Sequence, residues 1–228
     1  MTEKSIETDM SAELFKFLEA LEANNNRPWF MAHKELFDRL RQQWFADIDR
    51  MIAAVSEWDA SYRWLTGKEC TYRIYRDTRF SPDKTPYKTY FSAYLSPRGK
   101  NSDMAGFYIE AGPNESGIYG GLWAPDAKAL RKIRHAIVDN IEEFTEIIEN
   151  PEFTELYPHW WGQTLKTIPK GWPKDHPQAP LLRLLHYGRV HPLGRDFFED
   201  KSWPEKAAAL MRPLKPLVDF INYSLFEE

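Results

Sequence analysis

The stretch Thr89–Leu122, TYFSAYLSPRGKNSDMAGFYIEAGPNESGIYGGL, contains three short strand-like runs: Thr89–Leu95, Ala105–Ala111 and Gly117–Leu122. They are rich in aromatic, Ala and Ile side chains, which suit a pleated, half-buried surface. The breaks between them, Pro97-Arg98-Gly99-Lys100-Asn101 and Gly112-Pro113-Asn114-Glu115, have turn chemistry. Breaks this short leave no room for a crossover helix, so the strands predict an antiparallel meander rather than βαβ units. Tyr62–Leu65 and Thr71–Tyr75 are two further strand candidates upstream.

Helical patterns flank this region. Leu14, Phe17, Leu18 and Leu21 follow the i, i+3, i+4, i+7 rule and predict a helix from about Ser11 to Ala23. Asn24-Asn25-Asn26 stops it, and Pro28 suits the first turn of the next. Trp29, His33, Leu36, Phe37, Leu40, Trp44, Ile48, Met51, Ile52 and Val55 then keep the helical period, predicting a helix over 28–57 with His33 on its core side. Downstream, Leu130, Ile133, Ile137, Ile141, Phe144 and Ile148 predict a second long helix over 125–149, ended by Asn150-Pro151. Leu181–Leu185 is a short helix candidate, and a last helix starts near Ser202, interrupted by Pro213 and Pro216. The polar residues 1–9 are expected to be flexible. Residues 10–228 are expected to form a single α+β domain, its central antiparallel sheet covered by the 28–57 and 125–149 helices.

Composition narrows the function classes. A net charge of −4 argues against a general nucleic-acid binder, which is usually strongly basic. Cys70 is the only cysteine, which excludes an internal disulfide and a cysteine-rich zinc site. MTEKSIETDM lacks the apolar run of a signal peptide, and no stretch approaches the length of a membrane span. The expectation is a soluble cytoplasmic protein without a membrane partner.

One segment departs from the acidic background. Arg73–Lys88, RIYRDTRFSPDKTPYK, carries Arg73, Arg76, Arg79, Lys84 and Lys88 against Asp77 and Asp83, in a chain whose 30 Lys and Arg face 34 Asp and Glu. Cations concentrated in this way point to a local anion. Pro82 and Pro86 fix φ and restrict Ser81 and Thr85, so the loop is expected to be stiff. Guanidinium forks suit phosphate or carboxylate, and lysines act as point charges. The candidate ligand site therefore comprises Arg73, Tyr75, Arg76, Arg79, Lys84, Tyr87 and Lys88, with Asn25 and Arg27 as a polar rim; the expected partner is an anionic small molecule, phosphorylated compounds included. In a strand Arg73 and Arg76 face opposite ways, so the arginines converge only if the chain turns near Asp77. The alternative is an internal salt-bridge network of Arg76 and Arg79 with Asp77, Asp83 or other carboxylates. A nucleic-acid accessory role is a further alternative, disfavoured by the charge.

Other constellations are weaker. Ser81-Pro82-Asp83-Lys84 has S-x-x-K spacing, but Pro86 opposes helical geometry and no S-D-N or K-T-G follows. Gly120-Gly121 suits a bulge or a close backbone approach. The six histidines form no HExxH; His176, His186 and His191 are the conceivable metal set. Trp160, Trp161, Trp172 and Trp203 can stack on a base or sugar, or simply pack under irregular loops. No catalytic residue, cofactor or oligomeric state is legible.

Asn24-Asn25-Asn26-Arg27-Pro28-Trp29-Phe30, Tyr75–Lys88 (YRDTRFSPDKTPYK), Gly106-Phe107-Tyr108, Gly120-Gly121-Leu122-Trp123-Ala124-Pro125 and Pro169-Lys170-Gly171 together resemble a domain-of-unknown-function family found in bacteria and some fungi. The resemblance covers nearly the whole chain. It implies one domain and carries no catalytic residue with it.

Overall fold

The computed structural model describes residues 10–226, so the expected flexible N-terminus at 1–9 lies outside the described residues. The chain is α+β with a four-stranded antiparallel sheet, as expected. Its strands are β1 (Phe91–Leu95), β2 (Gly106–Ala111), β3 (Gly117–Leu122) and β4 (Tyr187–Pro192), hydrogen-bonded in that order. By contacts the chain divides into two compact units. Among the described residues, the first draws on 10–94, Ile109–Gly117 and Pro192–Ala208, the second on Leu95–Tyr108, Ile118–His191 and 209–226.

In the first unit, α1 (Met10–Ala23), α2 (Arg27–Ala32), α3 (Lys34–Trp58) and the single turn α4 (Gly67–Cys70) pack together. The predicted 3.6 period holds: Phe37, Leu40, Trp44, Ile48, Met51, Ile52 and Val55 of α3 are all buried. An aromatic seam joins these helices, with ring centroids of Phe30 and Phe37 5.1 Å apart, Phe37 and Phe91 5.8 Å, and Trp44 stacked on Trp203 at 5.5 Å. The helix expected over 28–57 is broken at His33. Its Nδ1–H donates to the Trp29 carbonyl at 2.8 Å, its ring stacks on Trp29, and its backbone leaves helical geometry. The side chain thus competes for a carbonyl in the helix ladder. His33 is a joint between two helices rather than a core residue.

Two strand expectations in this unit are corrected. Tyr62–Leu65 begins in a 3-10 turn, Ala60–Tyr62, started by Asp59 accepting from the Ser61 amide at 3.0 Å, and continues as a turn. Thr71–Tyr75 is extended but pairs only through the isolated bridges Thr71↔Ala93 and Tyr75↔Tyr87. Pro86, beside the second bridge, has no N–H to extend a ladder.

The second unit contains α5 (Ala127–Asp139), α6 (Ile141–Ile148), α7 (Pro151–Leu156) and α8 (Ala179–Leu182). The 125–149 helix divides at Asn140, whose amide donates to the Ala136 carbonyl at 3.0 Å and whose φ of −126° leaves the helix. Phe144 packs against Phe220 at 4.9 Å. The strand β4 was not expected. Its Arg189 is buried, with the guanidinium 4.0 Å from the Trp160 ring centroid and bonded to the Tyr157 carbonyl at 3.1 Å. Stacking on an indole and donating to a carbonyl make an arginine tolerable at a buried position of this edge strand. Toward the C-terminus come α9 (Arg195–Glu199), α10 (Trp203–Met211) and α11 (Lys215–Phe226). Pro213 falls in the 3-10 turn Arg212–Leu214 between α10 and α11, and Pro216 in the first turn of α11, so the interruption that the sequence predicts lies here.

Candidate functional site

The basic segment lies in the first unit as an irregular hairpin. Its stem is closed by Arg76 N–H to the Pro86 carbonyl (2.9 Å) and Lys88 N–H to the Ile74 carbonyl (2.8 Å). The base of the stem rests on the turn between α1 and α2 and on α2 itself. Both amide atoms of Asn25 bond the Tyr87 backbone, Nδ2 donating to its carbonyl at 2.9 Å and Oδ1 accepting from its N–H at 3.1 Å. The buried Tyr87 ring stacks on Phe30 at 4.1 Å. The neighbouring amides also have structural partners: Asn24 donates to the Ala20 carbonyl, and Asn26 caps α2 through the Trp29 N–H. Asn25 thus clamps the hairpin, and Asn26 caps α2.

The hairpin tip is braced by its own charges. Asp77 accepts from the Arg79 guanidinium at 2.7 and 3.0 Å and from its backbone N–H at 3.2 Å. These bonds, the side-chain ones first, hold the Asp77 carboxyl below the usual range. Asp83 accepts from the Thr85 N–H at 2.9 Å and pairs with Arg76, which also meets the Thr85 hydroxyl and carbonyl. The Thr85 amide and then Arg76 depress the Asp83 carboxyl. Lys84 Nζ donates to the Thr78 carbonyl at 2.8 Å, so S-x-x-K is turn chemistry here. The Arg79–Asp77 pair is solvent-exposed, and such pairs contribute little. Arg79→Gln should leave the melting temperature essentially unchanged in a thermal melt; a large drop would show that the pair holds the hairpin.

Beside the stem is an open cleft of about 560 Å³. Arg76 and Lys88 bring cations to it, Glu22, Asp77 and Asp83 carboxylates, and Asn25, Thr85, Tyr87, Thr89 and Tyr90 complete the wall. Four of the nine expected site residues thus meet at the cleft: Asn25, Arg76, Tyr87 and Lys88. Arg27, Arg73, Tyr75, Arg79 and Lys84 are not part of its lining. Of the four arginines, only Arg76 reaches it.

Lys88 is the distinctive group. It is half-buried, with Nζ 5.2 Å from the Tyr72 ring centroid and 5.5 Å from that of Tyr90. Among the described residues no carboxylate stands within ion-pair distance of it. Desolvation pushes its ammonium below the usual lysine value; the Glu110 charge opposes that shift and Arg73 adds to it. Burial also raises the Tyr72 and Tyr90 phenols, so both flanking rings are neutral near pH 7. Ring faces on two sides offset part of the cost of removing an ammonium from water. Tyr72, Tyr90 and Glu110 were not anticipated. The available signal was period-2 alternation, which puts Lys88 and Tyr90 on one face.

The remaining candidates resolve locally. A Cβ on Gly121 (φ +124°) would meet the Tyr187 carbonyl oxygen at 2.0 Å, so this glycine permits one backbone to approach another. His176 and His186 accept from the Gln178 and Ala124 amides, and His191 bonds the Leu156 carbonyl. Among the described residues no cluster of His, Cys, Asp and Glu could hold a metal ion, and no helix is long and apolar enough to cross a membrane.

A family model described as "Conserved hypothetical protein (DUF2461)" matches residues 13–220. No curated protein and no solved structure matches the chain.

Proposed function

This chain belongs to the DUF2461 family of conserved hypothetical proteins, and we propose that it binds a small anionic molecule in the cleft beside the 73–88 hairpin. Lys88 is the group that meets the ligand's charge. The observation that carries this is a half-buried ammonium held between two tyrosine rings at an open cleft, with no ion-pair partner among the described residues. A phosphate or carboxylate arriving there replaces lost hydration with a charge-assisted hydrogen bond. Arg76 lies along the same wall but is engaged by Asp83 and Thr85.

The wall also selects against large polyanions. Glu22, Asp77 and Asp83 outnumber the cations, so a nucleic-acid backbone would be repelled along most of the cleft. A ligand with one compact anionic group at Lys88 and neutral or donor groups elsewhere fits better. The internal-network alternative is favoured for Arg79 and Arg76 by their pairs with Asp77 and Asp83, which shape the hairpin.

The test is a thermal-shift screen at constant ionic strength with phosphate, sulfate, mononucleotides and sugar phosphates, run on the native chain and on Lys88→Met. The native chain should gain stability with one of these; saturation to a hundredfold over Kd stabilises by about 2.7 kcal/mol. Lys88→Met keeps the apolar stem and removes the poorly solvated charge. It should melt at the same or a higher temperature without ligand and show no gain with it. The pH dependence follows from the downward shift of Lys88. The unfolded state holds this proton more tightly than the folded state. Stability without ligand therefore rises with pH between the depressed folded value and the ordinary lysine value of about 10.4. Stabilisation by the anion should fade over the same interval. An anion response that survives in Lys88→Met would refute the assignment.

A further inference from the structure

The second unit carries a separate ladder of rings that the cleft does not use. Tyr108 and Tyr119 meet edge to face at 5.4 Å, Tyr119 and Trp161 at 5.3 Å, and Trp161 lies 3.8 Å from Trp123. Trp123 in turn stacks on His186 at 4.1 Å with the rings 13° from parallel. Despite these contacts Trp123 is 58% exposed, so a large indole is held in place and still presented to water.

The backbone is bent to achieve this. Ala124, directly after Trp123, has a φ of +45°, the only positive value at a non-glycine among the described residues. That conformation is unfavourable for a residue with a Cβ and tends to occur where the surroundings impose it. Here the Ala124 N–H donates to His186 Nδ1 at 2.9 Å. An accepting Nδ1 carries no proton, so the neutral ring has its proton on Nε2, and burial keeps the imidazole neutral near pH 7. Gly162, with φ +94°, passes so close to the imidazole that a Cβ there would lie 2.4 Å from His186 Cδ2. The strained turn, the fixed tautomer and the glycine together lock the indole and imidazole in one arrangement.

A rigid, uncharged aromatic face with an N–H donor at its edge has a definite chemical preference. Single-stranded nucleic acid uses such rings together with cations that follow its phosphates. The five rings of this ladder supply no cation. The C–H face of a pyranose needs only the flat ring, and its hydroxyls accept from a neutral N–H. We propose that Trp123, Trp161 and His186 form a carbohydrate-binding platform that stacks a neutral sugar ring on the Trp123 indole, independently of the anion cleft.

Saturation-transfer NMR on the full chain tests this with four neutral pentasaccharides: gluco-, xylo-, manno- and chito-oligomers. At least one should receive saturation in the native protein. Trp123→Ala should weaken its binding roughly tenfold or more; Trp123→Phe should retain part of it, and Lys88→Met all of it. Trp123 is more than half exposed, so Trp123→Ala should keep the native circular dichroism spectrum, which is checked alongside. Transfer to none of the four overturns the proposal, as does binding that Trp123→Ala leaves intact. Preferential transfer to an oligothymidylate that is lost in Trp123→Ala overturns it in favour of a nucleobase.

Discussion

Phe30→Ala should destabilise the protein by about 3–5 kcal/mol, the usual cost of deleting a fully buried aromatic ring. Phe30 has no exposed surface and lies at the centre of the first unit's aromatic seam. It stacks on Tyr87 at 4.1 Å, meets Phe37 at 5.1 Å and takes Tyr75 edge-on at 6.2 Å. For a chain of 228 residues this corresponds to a fall of roughly 6–20 °C in Tm. The variant should lose ligand response as well, because Tyr87 is the residue through which Asn25 grips the hairpin. Chemical denaturation followed by circular dichroism gives the first quantity and an anion titration the second. A loss below about 1 kcal/mol would mean that the seam relaxes into the space left by the ring, and that Phe30 does not set the position of the hairpin.

Gly67→Ala is the second large expectation, for the opposite physical reason. Gly67 opens α4 where that turn packs against α3. A Cβ there would lie 2.1 Å from the Phe45 carbonyl oxygen and about as close as contact allows to the Asp49 amide nitrogen, at 3.1 Å. Both are backbone atoms of a long helix and cannot rotate aside. α4 would have to lift away, stretching the 2.6 Å bond from the Gly67 N–H to the Asp49 carboxylate. The cost should reach or exceed the ~1–3 kcal/mol typical of overpacking. Lys68→Ala, one residue on and exposed, is the control and should melt like the native protein. Equal stability of Gly67→Ala and the control would show that the two helices do not approach each other this closely.

The contrast between these sites and the hairpin shows what the sequence can disclose. The buried face of α3 was legible because Phe37 to Val55 repeat with the helical period and burial follows that period directly. The break at His33 was not, because it depends on one ring bonding the carbonyl a turn earlier. The strand β4 was hidden by Gly188, Arg189, His191 and Pro192, which suit a loop in isolation. Its arginine is accommodated by Trp160, a ring far away in sequence.

At the candidate site the excess of cations was plain, but their division of labour was not. The turn at Asp77 lets Arg79 pair with Asp77 and brings Asp83 to Arg76, leaving Lys88 as the half-buried ammonium between Tyr72 and Tyr90. That outcome depends on bridges between non-adjacent residues such as Tyr75↔Tyr87 and Thr71↔Ala93, which local composition does not encode.

If Lys88 is a poorly solvated ammonium that an anion neutralises, its own titration shows it. NMR of lysine side chains selectively labelled with ¹³C and ¹⁵N, with Lys88→Met identifying the resonance, follows that one group in the native protein. Without ligand, Lys88 should titrate below the ordinary lysine value of about 10.4, and saturating phosphate or the best anion from the thermal screen should move its pKa upward. A Lys88 that titrates at the ordinary value and does not respond to any of these anions is not the group that meets a ligand.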